Sequence, residues 1–163
     1  MIATTKHVKI DSLVLANYIL KHHGPMSHLK LQKLLFYCDA YCLAFFGKEL
    51  ISDKFEAWVH GPVCRNVYNQ MKGASVLYTD MSYSPLPEID EDAEFAMLPI
   101  DVQDLITDVL ENLAQWTGIE LERATHREQP WLEARNGYGE ADKCHVEISK
   151  ETTKDFYRKQ QGL

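Results

Sequence analysis

The sequence predicts a mainly α, compact single domain of about five to six helices around a central buried helix, with a short two- or three-stranded β element. Three observations carry this. Apolar residues recur at three- and four-residue spacing through most of the chain, between Ser or Asp caps and Gly stops. The stretch between Ser27 and Gly47 is apolar around most of its circumference, which suits a helix enclosed by others. Strand-like alternation is confined to short pieces, above all Phe55-Glu56-Ala57-Trp58. With 163 residues, 45% hydrophobic and 25% charged, the chain is large enough for one real core. There is no internal repeat or domain boundary, so residues 1–163 read as one domain with its core over about 10–157.

In order, Asp11 or Ser12 caps a first helix carrying Leu13, Val14, Ala16, Tyr18, Ile19 and Leu20, which Gly24-Pro25 ends. Ser27 caps the long central helix, whose Leu31, Leu34, Leu35, Cys38, Cys42, Phe45 and Phe46 keep helical spacing until Gly47 stops it. Leu29, Phe36, Tyr37, Tyr41 and Leu43 widen its apolar surface, and Lys30 and Lys33 share one narrow side with Tyr37. After the strand, Gly61-Pro62 reads as a turn that launches a third helix near Val63, continuing through Val67, Tyr68 and Met71 to Gly73.

Ala74 to Leu98 reads as a long loop broken by Pro85 and Pro87, with a second short strand around Leu86 to Ile89. Asp101 is placed to cap a helix running through Val102, Leu105, Ile106, Val109, Leu110 and Leu113 to Trp116, with Gly118 as its stop. A short helix through Ile119, Leu121 and Ala124 follows, then an interruption at Thr125 to Trp131 where Pro130 begins one further helical turn. Val146 to Ile148 is an extended piece, and Ser149 caps a last amphipathic helix that uses Phe156 and Tyr157.

The net charge of -7 is unevenly spread. Residues 1–75 carry nine Lys/Arg against five Asp/Glu, and residues 76–163 carry eight against nineteen. From Gly73 through Glu122 there are twelve acids and no Lys or Arg. Such a half repels nucleic acid phosphates and attracts a basic partner, and no basic recognition helix is evident. Met1 to Lys9 has no apolar leader, and no run of about 18 apolar residues occurs, so a cytoplasmic protein is expected, with no membrane partner. Cys38, Cys42, Cys64 and Cys144 lack disulfide-framework spacing and read as reduced thiols.

Candidate chemistry is thin. Cys38 and Cys42, four apart, can be combined with His60 and Cys64 into a four-ligand zinc site, but their aromatic surroundings make the cysteines read as small core residues. A hydrolase or metal protein would use His60, Cys64 and His126, with Cys64 as nucleophile at a helix start, yet no nucleophile motif surrounds it. His60 and His126 read instead as anchors that hydrogen-bond a loop backbone, and Trp58 and Trp131 as buried packing anchors, Trp58 pinning its strand to the central helix. No phosphate-cradling loop or dinucleotide fingerprint is present.

Three separated blocks resemble the Panacea domain family. The first is Leu29-Lys30-Leu31-Gln32-Lys33-Leu34-Leu35-Phe36-Tyr37 followed by Gly47-Lys48-Glu49-Leu50, and the second is Phe55 to Val63, with Trp58, His60, Gly61 and Pro62, followed by Val67-Tyr68. The third is Thr125-His126-Arg127-Glu128-Gln129-Pro130-Trp131 with Ala134-Arg135. The resemblance covers roughly Ile10 to Tyr157, with Ala74 to Leu98 outside the recognisable text. It implies an antitoxin that neutralises a cognate toxin protein by direct binding, with no catalytic activity, cofactor or metal. In one branch the antitoxin instead acts as an adaptor delivering its toxin to an ATP-dependent protease. The signature residues, Lys30, Leu31, Lys33, Leu34, Tyr37, Trp58, His60, Gly61, Pro62, Val63, Tyr68, Thr125, His126, Pro130 and Trp131, are then expected to maintain the scaffold. Partner contact is expected outside them, at Tyr78, Tyr83, Asp90, Glu91, Asp92 and Glu94.

Overall fold

The structure, a computed structural model, describes residues 9–163, so the reading of Met1 to Lys9 lies, Lys9 apart, outside it. The central helix is α2, His28–Phe46. Ser27 Oγ accepts the Lys30 N–H at 3.2 Å, and Gly47, left-handed at φ 69°, donates its N–H to Leu43 O. Its interior-facing residues include Leu31, Leu34, Leu35 and Cys38, all at 0% exposure. The polar Gln32, Lys33 and Asp39 are also buried, as a helix covered on every side requires.

Around α2 pack α5 (Ile100–Leu113), α6 (Gly118–His126), α8 (Lys150–Gln160) and strand β3 (Gly61–Cys64). α1 (Ser12–His23), capped by the Asp11 carboxylate, closes another side together with α3 (Arg65–Met71) and α4 (Glu91–Ala96). A buried ion pair joins α8 to α2. Lys150 Nζ donates to Asp39 Oδ2 at 2.7 Å while Asp39 Oδ1 accepts the Leu50 and Ile51 N–H groups, so each oxygen of the carboxylate is satisfied.

β2 (Phe55–Trp58) and β3 form an antiparallel hairpin across the two-residue turn Val59-His60, in the register Phe55↔Cys64, Glu56↔Val63, Ala57↔Pro62 and Trp58↔Gly61. On the other edge of β2, Ala57 N–H donates to Val146 O and Ile148 N–H to Phe55 O, so the expected extended piece lies along the two-stranded hairpin as an isolated antiparallel bridge, Glu56↔Glu147. A second small pairing joins β1 (Met26–Ser27) to β4 (Asp80–Met81). No described helix is long and apolar enough to cross a membrane.

The mainly α architecture matches expectation, with eight helices among the described residues rather than five or six. The additions are short. Gly61-Pro62 is not a turn launching a helix at Val63 but the start of β3, and α3 begins at Arg65. Pro62 sits on the outer edge of the element, where its missing N–H deprives no neighbouring strand of a bond. Within Ala74 to Leu98 the strand is Asp80–Met81, not Leu86 to Ile89.

The acidic run expected as loop is α4. Asp90 Oδ1 accepts the Ala93 N–H, Glu91, Asp92 and Glu94 occupy the first turn where the helix dipole favours anions, and Phe95 stacks on Tyr18 at 4.1 Å. α5 is entered from Pro99 rather than capped by Asp101, and it ends at Leu113, before Trp116. Gly118 opens α6 instead of stopping α5: a Thr117–Glu120 capping box outweighs the glycine.

Candidate functional site

The three signature blocks meet at one point. Lys33, on the hairpin side of α2, is fully buried, and its Nζ donates to Pro62 O at 2.9 Å. A Cβ on Gly61 would stand 2.4 Å from Lys33 Cε and 2.9 Å from Thr125 Oγ1, and Gly61 has φ 106°. Glycine is therefore required twice, by conformation and by space. Thr125 Oγ1 donates to Glu122 O at 2.8 Å, which holds the α6 end of the contact in place. Burial draws the Lys33 ammonium pKa down to about 7, opposed by the Glu122 charge.

Beside this point, Gln32 clamps the backbone of Cys64. Its Oε1 accepts the Cys64 N–H at 2.8 Å and its Nε2 donates to Cys64 O at 3.3 Å. The same amide lies 3.1 Å from His28 Nε2, and His28 Nδ1 donates to Ser75 O at 2.6 Å. A carbonyl can only accept, so the proton sits on Nδ1 and the ring is neutral; burial lowers its pKa accordingly. His28 and Gln32 carry this network without having stood out in the sequence. The available signal was polar residues on a helix otherwise apolar all round.

The third block docks onto the hairpin backbone. Trp131, 5% exposed, donates Nε1–H to Trp58 O at 2.8 Å, and His126 stacks on its ring at 4.1 Å. Arg135 donates to Ala57 O at 2.8 Å and to Gly139 O and Asp142 O, stapling the 139–142 loop to β2. Glu128 Oε1 accepts the hydroxyls of both Tyr37 (2.6 Å) and Tyr157 (2.7 Å), joining α2, α7 (Gln129–Ala134) and α8. Lys30 Nζ reaches Ala114 O at 2.6 Å. Leu31, Leu34 and Val63 are core residues, Tyr68 lies against His28 at 5.2 Å, and Pro130 is buried in the first turn of α7.

Two of these residues play other parts than expected. Trp58 is not a buried anchor on the central helix. Phe55 and Ala57 face the core, so the two-residue strand period sends Trp58 outward with Glu56, whose Oε1 accepts its indole N–H at 2.9 Å. Its ring packs on Tyr68 (4.9 Å) and His145 (5.5 Å). His60 does not bond a loop backbone: at the hairpin turn its Nδ1 meets Glu122 Oε1 at 3.2 Å. His126 keeps a buried Nε2 without a hydrogen-bond partner among the described residues, and burial lowers its pKa.

The cysteine chemistry finds no support. Cys38, Cys42 and Cys64 are at 0% exposure, and burial pushes the Cys42 thiol up to about 12 and Cys64 to about 11, so neither forms a thiolate near neutrality. No group of three or more His, Cys, Asp or Glu side chains among the described residues could hold a metal ion.

The partner-contact candidates separate. Tyr78 is exposed at 60%, and Asp90 and Glu94 face solvent, Asp90 also capping α4. Asp92 pairs with Lys21 and His22. Tyr83 is half-buried and donates its hydroxyl to Glu91 Oε1 at 2.8 Å. Glu91, at 1% exposure, is withdrawn from the candidates, because its carboxylate is turned away from solvent with Oε1 taken by the Tyr83 hydroxyl.

The span matched by a family model includes this junction and also the segment from Ala74 to Leu98, expected to lie outside the recognisable text. The family model "Antitoxin SocA-like, Panacea domain" matches residues 31–132, a span that includes Lys33, the hairpin and the Thr125 to Trp131 block. Antitoxin SocA of Caulobacter vibrioides (strain NA1000 / CB15N) is 28% identical over 157 residues, covering 91% of this chain and 83% of that protein. No solved structure matches the chain. The junction of buried Lys33, Gly61-Pro62 and Thr125 is thus built from residues inside the matched span, and the chain belongs to the SocA-like antitoxin, Panacea domain family.

Proposed function

We propose that this protein neutralises a cognate toxin in the cytoplasm by binding it directly, through the acidic face made by α4 and α5. Family membership supports the antitoxin role. The observation that carries the choice of surface is the placement of the acids. Asp101, Asp104, Asp108 and Glu111 follow one another at helical spacing on the exposed side of α5, and Glu94 on the preceding helix α4 is exposed as well. Met97 and Ile100, 48% and 66% exposed at the α4–α5 elbow, add apolar area of the kind that anchors an interface core. Asp90, at the start of α4, remains a candidate beside this face, whereas Tyr78 lies against His60 at the hairpin turn, 6.3 Å between ring centroids. A basic toxin surface would be steered to such a face.

The test is co-expression with the product of the neighbouring gene. Growth arrest by that product alone, relieved by this chain with toxin levels unchanged and a complex recovered, supports direct neutralisation. Relief accompanied by protease-dependent loss of the toxin identifies the adaptor mode instead. Failure of Asp104→Lys with Asp108→Lys to weaken the complex moves the contact off this face.

A further inference from the structure

Between the outer face of the hairpin, the start of α2 and two loop segments, 76–77 and 143–145, lies a cavity of about 410 Å³. That volume lies within the usual range of small-molecule sites. Its apolar walls are Leu29, Trp58, Val63, Tyr68, Val76 and Leu77. Its lining holds five basic side chains, His28, Lys33, His60, Lys143 and His145, and no Asp or Glu, in a chain of net charge -7. The nearest carboxylates are committed elsewhere, Glu122 to His60 Nδ1 and Glu56 to Arg65 and Trp58.

Hydrogen bonding leaves donors rather than acceptors at this cavity. Lys33 lies behind the wall with no exposed surface and is committed to Pro62 O, so the reachable donors are those of Lys143 and His145 at the rim. Arg65 Nη2 lies 2.9 Å from His145 Nδ1 and can only donate. The His145 proton is therefore on Nε2, which has no acceptor among the described residues. His28 and Gln32 satisfy one another and hold the floor rigid.

From the cavity's size, its aromatic and aliphatic walls and its acid-free, donor-rich lining, we infer that it binds a small organic anion, a monocarboxylate carried on a flat apolar body. The body lies among Trp58, Tyr68 and Val63, and the carboxylate takes the free donors of Lys143 and His145, both exposed at the rim. The same chemistry is presented by a free aromatic acid and by a chain end terminating in an aromatic residue. The inference does not depend on toxin binding, and its test uses no toxin.

The experiment is calorimetric titration of the purified full chain at pH 7 with phenylacetate, phenylacetamide and phenylethylammonium, and with acetylated Gly-Gly-Phe as acid and as amide. Phenylacetate is expected to bind at least about tenfold more tightly than its amide, and the cation not at all. Lys143→Glu, a change at an exposed position, is expected to lower affinity at least about tenfold with the melting temperature unchanged, and His145→Gln to lower it less. A tripeptide acid stronger than phenylacetate identifies a chain end as occupant, and the reverse identifies a free acid. Equal binding of acid and amide, no saturable binding at about 10 mM, where even a millimolar site would be mostly filled, or undiminished affinity in Lys143→Glu overturns the inference.

Discussion

The signature junction and the acidic α4–α5 face are made on opposite rules. At the junction nearly every polar atom has one particular partner: Lys33 on Pro62 O, Gln32 on both backbone groups of Cys64, and two tyrosines on one oxygen of Glu128. On the face, Asp101, Asp104, Asp108 and Glu111 are exposed and make no ion pair among the described residues. Removing one partner inside leaves a buried group unsatisfied, whereas exchanging an exposed charge costs little. Residues of the first kind are constrained by the fold. Those of the second are free to be chosen by a partner.

The sharpest way to break the contrast is Gly61→Ala. The added methyl meets Lys33 Cε at 2.4 Å on a backbone held at φ 106°, so we expect a loss of about 3 kcal/mol or more in urea unfolding. Gly73→Ala is the control: nothing lies within 4 Å of its Cβ position, and the change should stay within about 0.5 kcal/mol. Equal effects at the two glycines would mean that the junction is not closely packed. Next in size, Glu128→Ala strands the Tyr37 and Tyr157 hydroxyls, Tyr157 being at 0% exposure, and should cost about 2 kcal/mol or more. Tyr37→Phe removes only one donor and should cost clearly less by the same measurement.

Much of the scaffold was legible because its signals are local. Asp11, Ser27 and Ser149 cap the helices they precede, and Gly47 ends α2. Where local signals competed, the expectation failed. Gly118 looks like a stop until Thr117 and Glu120 are seen to form a box across it. Pro62 looks like a helix entry because nothing in sequence reveals that its strand has a free edge. The acids after Asp90 look like loop because composition does not register that a helix dipole welcomes them in its first turn. At the site, the blocks were visible but their meeting was not: Lys33, Gly61 and Thr125 lie far apart in sequence, and a lysine on a helix normally signals a solvated side.

The buried lysine makes the stability of the junction depend on pH. In the unfolded chain its ammonium keeps the proton to near 10.5, while in the fold burial releases it near 7. The unfolded state therefore binds more protons between these values, and the Lys33 contribution to stability rises with pH across that window. Lys33→Met removes this dependence. We expect wild type to gain about 1 to 2 kcal/mol on the variant between pH 7 and 9, against a ceiling of about 1.4 kcal/mol per pH unit. A constant difference across that range would mean that Lys33 stays charged in the fold, held by more than Pro62 O.

The smallest stability effect belongs to the acidic face, and that smallness makes it informative. Asp104→Lys with Asp108→Lys places two cations on the exposed side of α5, where no described carboxylate is paired. Unfolding free energy should shift by no more than about 0.5 kcal/mol per site. Association with a basic toxin should slow, with the loss largest at low salt and fading above about 0.5 M as screening shortens the range of the field. A salt-independent loss would assign the contact to Met97 and Ile100 rather than to charge, because apolar burial is not screened. A large loss of stability instead would place these acids under the same rule as the junction, and the division between a constrained interior and a selectable surface would fall.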